Sequence, residues 1–218
     1  MSLARCLRSL MARPCVARPG MAKALGVALA AALAASPVWA FDLEQLAGQL
    51  RQPAVVRGTF VQEKHLRALA QPLVSRGHYV LARGQGLLWR LETPLRQDYR
   101  ITPGGIARRQ DETWQPLPQQ GAGARQNQLS LALLGGDSAA LERDFAPALE
   151  GDAGAWTLTL TPRAVLLSQI FDAIRIQGGA RVERIELLET QGDRTVLRLP
   201  DSQADDALSD TERHDFAG

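Results

Sequence analysis

Few side chains in this chain have the types and spacing that catalysis needs. Ser75, Ser130 and Ser168 stand in no G-x-S-x-G elbow, and His65, His78 and His214 form no H-E-x-x-H or similar metal-binding spacing. Glu63 and His65 lie two residues apart in a strand pattern and so share one face. Such a pair is far more often a surface ion pair than an acid–base dyad. Cys6 and Cys15, the only two cysteines, fall at the N-terminus, ahead of any folded pattern. No catalytic residue, metal set or cofactor is therefore expected. What remains is apolar chemistry: Leu87, Trp89 and Leu91 alternate with Leu88, Arg90 and Glu92, the two-residue period of a half-buried strand.

The elements that must position this face are mostly strands. From Ser75 to Thr102, patterns broken by Gly84-Gln85-Gly86 and by Pro94 read as three short antiparallel strands. Ahead of them, Leu43, Leu46, Ala47 and Leu50 recur at helical spacing, with Asp42 available as N-cap and Pro53 as terminator. Val56, Gly58, Phe60 and Gln62 then alternate with Arg57, Thr59, Val61 and Glu63, and Phe60 is expected on the side of Trp89. Pro103-Gly104-Gly105 predicts a hairpin into Ile106-Ala107-Arg108-Arg109, and Asp111-Glu112 a second turn before Trp114. Between Gly121 and Phe145 the pattern changes: Leu129, Leu133 and Leu134, with Leu131 beside them, have helical spacing, closed by Gly135-Gly136. Asp137 can cap a second short helix through Leu141. Strands return at Trp156–Leu160, Ile174–Ile176, Val182–Leu188 and Thr195–Leu199. Residues 164–173 fit either a helical turn or a buried loop. The tail from Pro200 reads as a solvated acidic tail or as a short helix over 204–213 with Phe216 docking.

Residues 1–40 have the form of an export signal: Arg5, Arg8, Arg13, Arg18 and Lys23, no acid, the apolar run Ala24–Ala35, and Val38-Trp39-Ala40 as the cleavage site. That run is shorter than the ~20 residues a spanning helix needs. Met21 would open a shorter signal. The leader holds five of the 25 basic residues and none of the 23 acidic ones, so the rest is slightly acidic and a nucleic-acid partner has no electrostatic basis. The ~180 residues left suit one domain.

Gly77, Arg83, Leu87, Trp89, Thr93 and Pro94, together with Gly58, Phe60 and Gln62, resemble the motifs of the LolA-type periplasmic lipoprotein carriers. The family has Pro after the basic residue and Phe two before the Trp, where this chain has Gly84 and Leu87. The resemblance implies a mainly β fold with some helix: a strongly curved antiparallel sheet, an unclosed half-barrel, covered on its concave face by short helices that act as a lid. It implies a monomeric periplasmic carrier with no stable membrane insertion. Such a carrier shields acyl chains of a lipoprotein or another lipid between an inner-membrane exporter and an outer-membrane acceptor. A lipid-sensing regulatory module of the same fold is the alternative.

By pattern alone, Phe60, Trp89, Leu91, Trp114 and Trp156 fill an ordinary core. By resemblance, Phe60, Leu87, Trp89, Leu91, Ile101, Trp114, Leu131 and Leu134 line a lipid cavity, and Arg83 is the basic residue that latches the lid. A guanidinium suits that task, since its planar fork of donors can hold several carbonyls and release them when cargo enters.

Overall fold

The computed structural model describes residues 41–118 and 131–217, the side chain of Ala140 excepted. The leader, Leu129 and Ser130 lie outside the described residues. Helix α1 (Leu43–Arg51) begins with a capping box: the Asp42 carboxylate accepts from Gln45 N–H at 2.8 Å, and the Gln45 side chain accepts from Asp42 N–H at 3.2 Å. Six strands follow: β1 (Val55–His65), β2 (Leu73–Ala82), β3 (Gly86–Thr93), β4 (Gln97–Thr102), β5 (Gly105–Gln110) and β6 (Thr113–Pro116). Helical residues 131–135 (α2) and α3 (Ser138–Asp144) precede β7 (Phe145–Asp152) and β8 (Ala155–Pro162). The turn α4 (Val165–Ser168), strands β9 (Phe171–Gly178), β10 (Val182–Glu189), β11 (Arg194–Arg198) and β12 (Gln203–Asp205), and helix α5 (Asp210–Ala217) complete the chain.

All twelve strands form one antiparallel sheet in the order β6-β5-β4-β3-β2-β1-β11-β10-β9-β8-β7, with β12 also on β1. β6 and β7 are its ends, so the sheet is unclosed. It wraps strongly, because residues from near both ends, Ile106 of β5 and Phe145 and Trp156 of β7 and β8, share one buried cluster with Leu46 of α1. This is a half-barrel with short helices over its concave face. Along β1, Val61–His65 pair with β11 while Val55–Arg57 pair with β12. The connecting chain passes the intervening Gly58, where a Cβ would come within 2.9 Å of the Tyr79 ring and 3.1 Å of Asp201 O. Only a glycine gives that chain room.

The central stretch forms β2, β3 and β4 with the expected turns. The expectation of a single apolar face on β3 needs correction. Leu87 and Leu88 are both fully buried, on opposite faces. On the convex side Leu88 joins Val55, Val80, Ala82 and Leu208, with Trp114 and Phe216 packed against them. Two elements had no sequence signal strong enough to read: β7, which carries Pro147 at a sheet edge where a missing N–H is tolerated, and β12 within the acidic tail.

What covers the convex patch is α5. Its Ser209 cap exchanges hydrogen bonds with Glu212 at 2.7 and 3.2 Å. The Arg57 guanidinium donates to both Glu212 oxygens at 2.7 and 2.6 Å. Asp215, 5 % exposed, accepts from Arg90 at 2.8 Å and also from Arg109. Arg100 and Arg109 lie over the Trp114 ring at 5.1 and 4.5 Å. The tail thus ends in a docked helix, whose Glu212 and Asp215 are paired with arginines of the sheet.

This docking is pH-sensitive. The Arg57 hydrogen bonds, more than offsetting the cost of burial, hold the Glu212 carboxyl at about 2, against an ordinary 4.5. A depressed carboxylate stabilises the fold fully above its ordinary range and ceases to do so as pH falls toward its folded value. Between pH 4.5 and 2, α5 is expected to lose about 2 kcal/mol of attachment, less than the full shift implies because water reaches Arg57. Trp114 emission followed through an acid titration checks this, and Glu212→Gln should flatten the change.

Candidate functional site: an apolar cleft beneath the helices

Helix α1 is the crossbar of the concave side. At its C-terminal end the Arg51 carbonyl, left without an intrahelical donor, accepts from Arg83 Nη1 at 2.8 Å. The Arg51 side chain in turn donates to Gly136 O at 2.9 Å, at the end of α2. Two residues back, Gln49 Nε2 reaches Gly179 O at 2.6 Å in the β9–β10 turn and Ala153 O at 3.2 Å in the β7–β8 turn. Trp156 Nε1 donates to the same Gly179 carbonyl at 2.7 Å. The helix is therefore tied to both halves of the sheet. Gly136 has φ +68, and a Cβ there would stand 3.0 Å from Ala47 O. That glycine both ends α2 and lets it close on α1.

Beside this crossbar lies a cleft of about 940 Å³. Val56 and Leu81 form its floor, Leu50, Leu131 and Leu141 overhang it, and Leu166 stands at its margin, 56 % exposed. Arg51, Arg83 and Arg143 stand among the apolar walls, together with Asp137 and Asp144, the last 3.7 Å from Arg143. The geometry can accept a long apolar group along the floor with charges of both signs at its margin.

The expected lining residues divide into groups. Leu131 and Arg83 line the cleft. Phe60, Leu87 and Ile101 do not: they are buried in the core. Trp89 and Leu91 are half-buried and packed against that core, with Trp89 stacked on Phe60 at 3.7 Å between ring centroids. Leu134 lines a separate internal cavity of about 20 Å³. Trp114 is on the opposite, convex face: the register runs Trp89–Tyr99–Arg108–Gln115, so Trp114, paired with Arg109, points the other way. Leu50, Val56, Leu81 and Leu141 were not expected at the site. Leu50 belonged to the periodic face of α1 and Leu81 to a strand end, but nothing in their spacing separates a cleft wall from a core position.

Glu63 is ion-paired with Arg198 rather than set up as an acid–base dyad with His65. Glu63 accepts from Arg198 at 2.6 Å, stands 3.4 Å from His65, and is held below the usual carboxylate range chiefly by that Arg198 hydrogen bond. A carboxylate so held is a weak base. Among the described residues no cluster of His, Cys, Asp and Glu is placed to hold a metal, and no helix is long and apolar enough to cross a membrane.

The architecture is a one-sheet half-barrel with a helical cover and an apolar cleft between them. The chain belongs to the family of outer membrane lipoprotein carrier protein LolA-like proteins, whose family model matches residues 34–214. Among solved structures it is similar to the MucA/MucB complex of Pseudomonas aeruginosa, at 16% identity, a TM-score of 0.47 and 78% coverage of this chain. This chain spans 58% of that protein's length. It is also similar to a LolA superfamily protein of Nitrosomonas europaea, at 13% identity and a TM-score of 0.44, covering 78% of this chain and 94% of that one. A third is an outer membrane lipoprotein-sorting protein domain of Vibrio parahaemolyticus, at 8% identity and a TM-score of 0.43, covering 81% and 97%. No curated protein matches the chain.

Proposed function

We propose that this protein is a periplasmic carrier that takes acyl chains of a lipoprotein or another lipid into the cleft beneath α1, α2 and α3 and delivers them toward the outer membrane. An inner-membrane exporter would load it and an outer-membrane acceptor would unload it. The observation that carries the reading is the cleft itself: its volume is within the ~300–1,000 Å³ of small-ligand sites, and its walls are mainly apolar. Each buried methylene contributes ~0.8 kcal/mol, which is what an acyl chain needs to leave a bilayer. Arg83, through Arg51 and Gly136, is the latch: releasing its hydrogen bond to α1 frees the helix that overhangs the cleft.

Gly135 offers a direct test. It lies on the cleft, and a Cβ built there meets nothing within 4 Å. Gly135→Phe should fill the cleft without straining the fold. The expected result is an unchanged circular dichroism melt with at least a tenfold loss of affinity for a fluorescent fatty acid, consistent with the ~1.4 kcal/mol per decade set by binding arithmetic. Equal binding by the variant and the parent would sink the cleft assignment.

A further inference from the structure

Five large hydrophobic side chains are exposed among the described residues, and all five stand at one end of the sheet. In an antiparallel sheet every second connection falls on the same rim. Here the β1–β2 loop carries Leu69 and leads into Leu73, the β3–β4 turn carries Leu95, and the β8–β9 connection carries Val165 and Leu166 on α4. The pairings His65–Arg194, Leu188–Arg194 and Glu189–Phe171 set the β10–β11 turn between the first of these and the last. The opposite rim exposes no large hydrophobic side chain among the described residues.

Hydrogen bonds join these connections into one edge. Arg67 N–H donates to the Asp193 carboxylate at 2.9 Å and Arg67 Nη1 to Gln191 O at 3.1 Å, which fastens the β1–β2 loop to the β10–β11 turn. Thr190 donates from its N–H to Ile170 O at 3.1 Å and from its hydroxyl to Gln169 O at 3.0 Å, which fastens that turn to the end of α4. Single exposed apolar residues are ordinary, but five gathered on one braced rim mark a contact surface. The cleft reaches the same rim, since Ala164, Leu166 and Leu167 belong to its lining.

The chemistry of the rim selects what it meets. Leu69, Leu73 and Leu95 line neither the cleft nor the small internal cavity, so they present separate points and not a groove. Charges on the rim connections balance: Arg67, Arg96 and Arg163 stand against Asp111, Glu112 and Asp193. Separate apolar points of balanced charge around a cleft mouth fit a soft apolar phase that closes around each of them, as a bilayer surface does.

We propose that this rim is the face with which the protein meets a lipid bilayer, its leucine and valine side chains entering the interfacial layer so that the cleft mouth opens against the acyl chains. The assignment rests on the carrier reading for its use and adds the surface through which cargo enters. Contact is shallow and reversible, because a few loop side chains bury far less apolar area than a spanning segment.

Flotation of the purified protein with vesicles tests this, using phosphatidylcholine alone and phosphatidylcholine mixed with phosphatidylglycerol. The parent should partition onto both to within about threefold and stay bound in high salt, because apolar contact is not screened. Leu95→Glu and Val165→Glu change side chains that are 78% and 71% exposed, so neither should alter the thermal melt. Each should weaken vesicle partition about tenfold or more, the contribution of one buried side chain of this size, while binding a fluorescent fatty acid in solution as the parent does. Gln85→Glu, in the β2–β3 turn on the opposite rim, adds the same charge and should float like the parent. A parent that binds the fatty acid but stays in solution with both vesicles overturns the rim and leaves the carrier reading intact. Flotation that needs phosphatidylglycerol and is lost in salt replaces apolar docking with charge attraction and overturns the proposal. So do rim variants that float like the parent, and rim variants that lose the fatty acid in solution, which would place these side chains in the cleft. A parent that floats but binds no fatty acid supports the rim and overturns the carrier reading.

Discussion

Replacing Phe60 with alanine should lower the stability of the protein by about 3–5 kcal/mol. Phe60 is 1 % exposed and lies at the centre of the concave cluster, its ring stacked on Trp89 at 3.7 Å. The substitution removes an aromatic side chain from a site whose walls are strands of one continuous sheet, which cannot collapse inward to fill the void. The lost stack adds ~0.5–1.5 kcal/mol to the transfer cost. For a domain of this size that corresponds to a fall in melting temperature of about 10 °C. Phe60→Leu, which keeps most of the volume, should recover more than half of it. The measurement also decides what this part of the concave face is. If Phe60→Ala melts within 2–3 °C of the parent, the ring borders open space and the filled-core assignment is wrong.

The second large effect is expected at Gly77, on β2 opposite Leu91. A Cβ there would stand 1.9 Å from the Arg90 carbonyl oxygen, 2.9 Å from its carbon and 3.0 Å from Leu91 Cα, all of them backbone. None of these atoms can turn aside as a side-chain end would, and the strand pairing shifts register at this point, between Arg76 and Gly77. Gly77→Ala must therefore separate β2 from β3 in the middle of the sheet, at a cost of about 3 kcal/mol or more. Urea unfolding of the purified variant reads it directly. Gly48→Ala is the matched control. Gly48 sits within α1 with nothing within 4 Å of its Cβ position, and alanine there should be neutral or stabilise by about 0.5–1 kcal/mol. Similar melts for the two variants would show that the close approach at Gly77 is relieved cheaply.

Gly77 also marks where reading a sequence stops. Its place in the motif was visible from the residues, and so was the family; the reason for it was not. A glycine that admits a facing carbonyl looks, in one dimension, like a glycine in any turn. The same holds for Gly58, whose need comes from a chain crossing about 140 residues later in the sequence.

What the residues determined unaided was whatever depends on near neighbours. The period of two in β1, β3 and β8, the capping box of α1, the glycine stop of α2 and the turns around Gly84 and Gly104 are all set by contacts within a few positions, so alternation and turn chemistry suffice to place them. The side of the sheet that meets a helix, a tail or open space depends on partners far away in sequence. Alternation put Leu87 and Leu88 on opposite faces, but only the docking of α5 through Glu212 and Asp215 explains why both are buried. Apolar character grouped Trp89 and Trp114, but the cross-strand register set Gln115 in line with Trp89 and left Trp114 on the convex side. Apolar spacing is the same for a residue that fills a core and for one that lines a cleft. The difference between Phe60 and Leu81 is whether a helix tied down at Arg83 and Gly179 leaves room above them, and that was decided only when the sheet curved and α1 was fastened across it.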